Sequence, residues 1–313
     1  MSGTGILPVV EYCASTERAL EFAVCEESRA GRPCHFQARK RLALARTPSA
    51  QDWLSLCYNF TTKMKRALSI FFSLFFCSSL TVFAQSPEFS EPWKNPKVAI
   101  AIDPFEKNEI DWDLLATDPR VVAIIHRATI GDRGDLKYAE RRDEAKKRGY
   151  KWGAYHLGKP GDPIKQADFF LETVKPTADV LIALDLEGVD PTKDMSFDEA
   201  RAFIKRIKEK TGRYPLIYAN QLVTKAISEQ YGADKVFRKT RLWYARFKQN
   251  VTDFPLGTWK TYTLWQFSSE LNCDPLNRPA CLYTVPGTAY DMDVDVYHGT
   301  IEELRKKWPF DKP

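Results

Sequence analysis

The stretch VLIALDLEG, Val180–Gly188, begins as a continuous apolar run and ends on two carboxylates, Asp185 and Glu187, two residues apart. An apolar run without alternation marks a strand covered on both faces, the condition of a parallel sheet flanked by helices. Residues i and i+2 of a strand face the same side, about 6.5–7 Å apart at Cα. Asp185 and Glu187 therefore share one face while Leu186 packs on the other. Two acids this close oppose each other's ionisation, so one is expected to hold a proton near neutrality.

Runs of the same kind recur on either side: VAIAID (98–103), VVAIIHRAT (121–129), KWGAYHLG (151–158) and PLIYA (215–219). RLWYARF (241–247), TYTLWQFSS (261–269) and YDMDVDVY (290–297) follow, for eight strands in all. Helical patterns fill the early gaps. In SFDEARAFIKRIKEKTG, Ser196 caps, Glu199 completes a capping box and Gly212 stops the helix. LKYAERRDEAKKRG, PIKQADFFLETV and NQLVTKAISEQYG are the others, with DWDLLATD a shorter one. After Trp243 helices cease. The reading is α/β, a modified TIM-like barrel of five β/α units followed by three strands.

In such folds reactive side chains gather at the C-terminal ends of strands. Strand one ends in Asp103, strand four in Asp185 and Glu187, and the last strand carries Asp291, Asp293 and Asp295. Three distant segments thus bring carboxylates to one mouth. A protonated acid beside an ionised one is what glycosidic cleavage requires.

The 313-residue chain carries a net charge of +5, but it is not uniform. From Met64, MKRALSIFFSLFFCSSLTVFAQ has the charged start, apolar run and Val82-Phe83-Ala84 cleavage site of a secretory signal peptide. Serines interrupt the run, which counts against a membrane span of about 20 apolar residues. Bulky Phe76 before Cys77 makes a poor lipoprotein site. We expect Met64 to be the true start, 1–63 to be a non-native extension, 64–84 the signal peptide, 85–96 a linker and 97–313 the catalytic domain. A folded cytosolic extension is the alternative for 1–63. From Gln85 onward 36 basic residues face 35 acidic ones, so nothing calls for nucleic acid or another polyanion. Two cysteines remain in that part, Cys273 and Cys281, which in an exported protein read as a loop-closing disulfide.

The ordered series AIDPFEKNEIDW, HRATIGD, GAYHLGKPGDPIKQADFF, LDLE, TGRYPLIYA, LWYARF, TLWQFSS and DVDVYHG resembles glycoside hydrolase family 25, the lysozymes (muramidases) that cut bacterial peptidoglycan. The resemblance runs from about Lys97 to Trp308 and implies the same five-plus-three barrel. It implies that Glu187 is the general acid. Asp185 would orient the substrate's N-acetyl group, and Asp103 and Asp293 would be the other two acids. It places Tyr155, Tyr218, Trp243 and Trp265 where the family has sugar-contacting aromatics, although any of them could equally be core. It departs from the family at Ile130, where a Glu often follows Ala-Thr, and in the long NCDPLNRPAC segment.

Other chemistry fits less well. His126, His156 and His298 lack zinc-site spacing. DMDVDVYHGTIE mimics a calcium loop, with Glu302 at position twelve, but Val296 stands where that loop needs Gly. GDRGD (131–135) lacks the Lys-Ser/Thr of a phosphate loop, and the basic run Arg141–Arg148 reads as the outer face of a helix. No metal or cofactor is expected. The expectation is an exported, periplasmic or extracellular, monomeric enzyme acting on peptidoglycan glycan strands, without stable membrane insertion after signal cleavage. A non-catalytic glycan-binding barrel and a glycosidase for another N-acetylated glycan are the alternatives.

Overall fold

A computed structural model describes residues 90–276 and 281–311. The proposed extension, the signal peptide and the first residues of the linker lie outside these.

The early strands are β1 (Val98–Ile102), β2 (Val121–Ile130), β3 (Arg133–Gly134) and β4 (Lys151–Leu157). They are followed by β5 (Leu181–Leu186), β6 (Leu216–Asn220), β7 (Leu242–Ala245), β8 (Leu264–Ser268) and β9 (Val294–Thr300). The sheet order β1-β9-β8-β7-β6-β5-β4-β2 closes through a β1–β2 pairing, with β3 added to β2 as a short hairpin. Every pairing from β1–β2 to β7–β8 around the barrel is parallel, whereas β9 is antiparallel to both its neighbours. The expected five β/α units and three closing strands are therefore present, with β3 as the addition. The last strand runs opposite to the rest, so it is its beginning, not its end, that reaches the mouth.

The helices are α1 (Trp112–Leu115), α2 (Tyr138–Lys147), α3 (Pro163–Val174), α4 (Phe197–Thr211) and α5 (Gln221–Tyr231). Two short ones after Trp243, α6 (Glu270–Cys273) and α7 (Ile301–Lys307), correct the expectation that helices cease there. Local sequence explains their limits. Ser196 Oγ accepts from Glu199 N while Ser196 N donates to Glu199 Oε2, closing the capping box of α4. Gly212 ends it at φ 73°, a backbone state that costs glycine little. Ala200, Phe203, Ile204 and Ile207 recur at helical spacing and are all buried. Each large one stabilises by about 1.5–3 kcal/mol.

Strand alternation divides the core. Ala99, Ala101, Ala123, Ile125, Leu181, Ala183, Leu216 and Leu264 fill the barrel interior. Ile100, Ile124, Ile182, Leu184, Ile217, Tyr244 and Phe267 face the helices and loops outside. Small alanines in the interior leave room near the mouth for larger polar groups. The end of the expected linker packs down: Pro92–Lys94 form one 3-10 turn, and Trp93 stacks on Phe267 with centroids 4.8 Å apart.

Candidate active site

The interior parity of β5 continues from Ala183 to Asp185 and then to Glu187 just past the strand end, as the i, i+2 spacing requires. Asp185 is 6% exposed, and its Oδ1 has no hydrogen-bond partner among the described residues. Glu187 stands exposed at the rim. Its main chain is pinned by Asn220 Nδ2, which donates to Glu187 O at 2.7 Å. Burial, then the charge of Glu187, pushes the Asp185 carboxyl well above the usual carboxylate range. Glu187 also rises, chiefly because the cleft walls desolvate it even though its side chain reaches solvent; Lys159 and Arg127 pull it down and Asp194 pushes it up. The sequence reading expected the proton on Glu187 and the charge on Asp185. In the ligand-free barrel both carboxyls are raised, and Asp185 is the more deeply buried of the two.

Asp103 directly follows β1, and its N–H donates to Asp293 O at 3.2 Å, tying the end of β1 to the start of β9. The Asp103 carboxyl accepts from Gln266 Nε2 at 3.1 and 3.3 Å. Gln266 Oε1 in turn accepts from the Tyr218 hydroxyl at 2.7 Å. Asp295, fully buried on β9, accepts from the Trp243 indole at 2.6 Å and pairs with Asp103. Burial raises Asp295 to about 7, and burial with the neighbouring carboxylates raises Asp103 and Asp293 well above their ordinary values. All four expected acids thus meet at one mouth.

The four aromatics do not. Tyr155 and Tyr218 face the interior and flank Trp243 edge-on, with centroids 6.1 and 5.1 Å away. Trp243 is 1% exposed beneath them, so it supports the floor and offers no stacking face. Trp265 is 0% exposed, lies in the outer core and donates to Arg246 O, so it is withdrawn as a sugar contact. Its neighbour Gln266 shares the interior parity of Leu264 on β8.

Sequence reading missed Gln266, Arg127 and Lys159 and left Asp295 without a role. Arg127 sits on β2 beside Tyr155 of β4. It is held by Asp135 at 3.2 Å and Glu106 at 3.5 Å, with its guanidinium over the Phe105 ring. Strand parity was the signal that could have found Arg127, two residues on from interior Ile125. Cys273 and Cys281 are disulfide-bonded, as expected, and Cys273 Sγ lies 3.0 Å from the hydroxyl of Ser268, the β8 residue paired with Val294 at the start of β9.

Comparison with known proteins bears on this arrangement. The family model described as Glycosyl hydrolases family 25 matches residues 102–275, a span holding Asp103, Asp185 and Glu187 and ending before Asp293. Among solved structures, a muramidase from Trichobolus zukalii is similar at 23% identity and a TM-score of 0.53, covering 66% of this chain and 97% of its own. A bacterial lysozyme from Streptomyces coelicolor is similar at 21% identity and a TM-score of 0.53, with 66% and 94% covered. A family GH25 lysozyme from Aspergillus fumigatus gives 23%, 0.53, 67% and 98%. At these identities the likeness establishes the fold. A search of curated proteins returned no match. The family match spans more than half of the sequence and includes the acid pair of β5, and on that ground the chain belongs to glycosyl hydrolases family 25.

Proposed function

We propose that this glycoside hydrolase is an exported muramidase that cleaves the β-1,4 bond between N-acetylmuramic acid and N-acetylglucosamine. The observation that carries the reading is Asp185 Oδ1, a buried acceptor without a partner among the described residues, two residues from a rim carboxyl that solvent and substrate can reach. A buried carboxylate oxygen is costly unless something donates to it. The acetamido N–H of an N-acetylated sugar is such a donor.

The steps follow from those two positions. Substrate N–H donating to Asp185 favours its charged form and offsets the burial that raises it in the free protein. Protonated Glu187 gives its proton to the glycosidic oxygen as the bond to the anomeric carbon breaks. The acetamido carbonyl oxygen, oriented by Asp185, attacks that carbon and forms a cyclic oxazolinium. Water, deprotonated by the now ionised Glu187, reopens the ring and restores both carboxyl groups. This substrate-assisted route is a recognised exception to the two-carboxylate scheme. Whichever carboxyl of the Asp103, Asp293 and Asp295 cluster is ionised favours the developing positive charge, while its raised neighbours hold protons.

Export rests on the Met64–Gln85 sequence and agrees with a disulfide in the folded domain, since such bonds persist in oxidising compartments. Among the described residues no helix is long and apolar enough to cross a membrane.

The test is mass analysis of borohydride-reduced products from purified peptidoglycan. Reduced N-acetylmuramic acid at the new chain ends is the expected result. Reduced N-acetylglucosamine ends would assign a different bond, and no products would leave a glycan-binding barrel.

A further inference from the structure

Two cations act on both Asp185 and Glu187, namely Lys159 and Arg127. Arg127 is occupied by Asp135 and Glu106. The half-buried Lys159 makes no salt bridge or side-chain hydrogen bond among the described residues. Its position follows from register. Leu157 of β4 pairs with Asp185 of β5, and Gly158 N donates to Asp185 O at 3.1 Å. Continuing that register sets Lys159 beside Glu187, with the same strand parity as interior Tyr155.

The backbone of Lys159 is clamped with unusual completeness. The buried Gln166 amide donates from Nε2 to Lys159 O at 2.8 Å and accepts from Lys159 N at 3.1 Å. A main-chain N–H can only donate and a carbonyl can only accept, so the orientation of the Gln166 amide is determined. Its Oε1 must then receive His156 Nε2–H at 3.0 Å, leaving His156 Nδ1 to accept from the Thr129 hydroxyl at 2.7 Å. Thr129, His156 and Gln166 therefore form a buried chain of hydrogen bonds that ends on one residue's backbone. The side chain so presented is a cation beside the rim acid.

We propose that the Lys159 ammonium receives a carboxylate of the muramyl unit, so that the cleft distinguishes N-acetylmuramic acid from N-acetylglucosamine. This rests on the muramidase reading and extends it to specificity. The two sugars differ by the lactyl ether of the muramyl residue, which ends in a carboxyl or, in intact wall, leads into a peptide bearing further carboxylates. Elsewhere the mouth is lined by Asp103, Asp185, Asp293 and Asp295, carboxyl groups that give an anion no cationic partner. Beside Lys159 it gains a charge-assisted hydrogen bond.

The experiment is a binding titration of the wild-type protein, Lys159→Met and Lys159→Arg with four probes: N-acetylmuramic acid, its methyl ester, N-acetylmuramyl-L-alanyl-D-isoglutamine and N-acetylglucosamine. Wild type is expected to bind at least one carboxylate-bearing probe about tenfold more tightly than the ester. Lys159→Met should lose that preference and Lys159→Arg should keep it. Loss on N-acetylmuramic acid assigns the lactyl carboxylate, and loss confined to the dipeptide assigns the peptide. If Lys159→Met weakens acid and ester equally, or weakens neither, the proposal is overturned and Lys159 is only a counter-charge for the acids. Titration needs no turnover, so a wild-type protein that releases nothing from peptidoglycan rejects the muramidase reading while these arms still decide the role of Lys159.

Discussion

The indole N–H of Trp243 on β7 donates to Asp295 Oδ1 on β9 at 2.6 Å, across the barrel interior and with both side chains excluded from solvent. This contact joins the aromatic floor to the acid cluster. It turns an aromatic expected to touch sugar into one that holds a carboxylate in place.

Trp243→Phe keeps a ring but removes the donor. The unmet carboxylate should destabilise the barrel by about 1–3 kcal/mol, before any cost of the smaller ring. A urea-unfolding midpoint unchanged from wild type would show that the contact contributes nothing.

Asp295 also sets a pH dependence. Its folded pKa of about 7 lies above the ordinary carboxylate value of about 4, so the folded state binds the proton more tightly than the unfolded chain. The sign follows directly: this group favours folding at low pH, and the benefit is lost as pH rises through 7. Asp295→Asn removes the ionisation and should gain stability relative to wild type between pH 5 and pH 8, by on the order of 1–3 kcal/mol. Urea titrations at the two pH values check this; a variant whose relative stability falls over that interval contradicts it.

Much of the barrel was legible because unbroken apolar strands and capped helices signal their own type. Ser196, Glu199 and Gly212 bound α4 by local chemistry alone. The acids were legible because a polar pair at the end of a buried run has few structural uses. Side-chain parity in the last strands was not. In Leu264-Trp265-Gln266-Phe267 three apolar residues cover both faces, so nothing local says that Gln266 points inward and Trp265 outward. The reversal of β9 was equally hidden, since strand direction is decided by which neighbours it pairs with. Burial was the third gap. The spacing of Asp185 and Glu187 shows that they repel, but only the fold shows that Asp185 lies deeper.

His156 is held neutral by burial, its pKa lowered to about 4, and its hydrogen bonds require the Nε2–H form. Nitrogen-15 NMR at pH 5.5 should report that single neutral tautomer, where a solvent-exposed histidine is mostly imidazolium. An imidazolium signal for His156 at that pH would refute the Thr129–His156–Gln166 chain of hydrogen bonds.

The Cys273–Cys281 disulfide closes a short loop next to the start of β9. Replacing both cysteines with alanine should cost about 2–3 kcal/mol. Free-thiol labelling of the native, unreduced protein should find neither cysteine, and labelling of both would refute the pairing.

Asp291 O accepts from Asn108 Nδ2 at 2.9 Å, so the main chain of Asp291 serves the loop, and no role in the proposed chemistry falls to its carboxyl. Asp291→Asn should therefore leave wall hydrolysis within a few-fold of wild type, whereas Asp185→Asn should be severe. A collapse of activity in Asp291→Asn with folding intact would bring that carboxyl into the site.

The central claim is that Glu187 supplies the proton, and Glu187→Gln tests it most directly because it keeps the shape and removes the ionisable group. Initial rates on purified peptidoglycan should fall by a factor on the order of 10²–10⁴, with an unchanged unfolding midpoint. Near-normal hydrolysis by Glu187→Gln would contradict the account and remove Glu187 from the proton transfer.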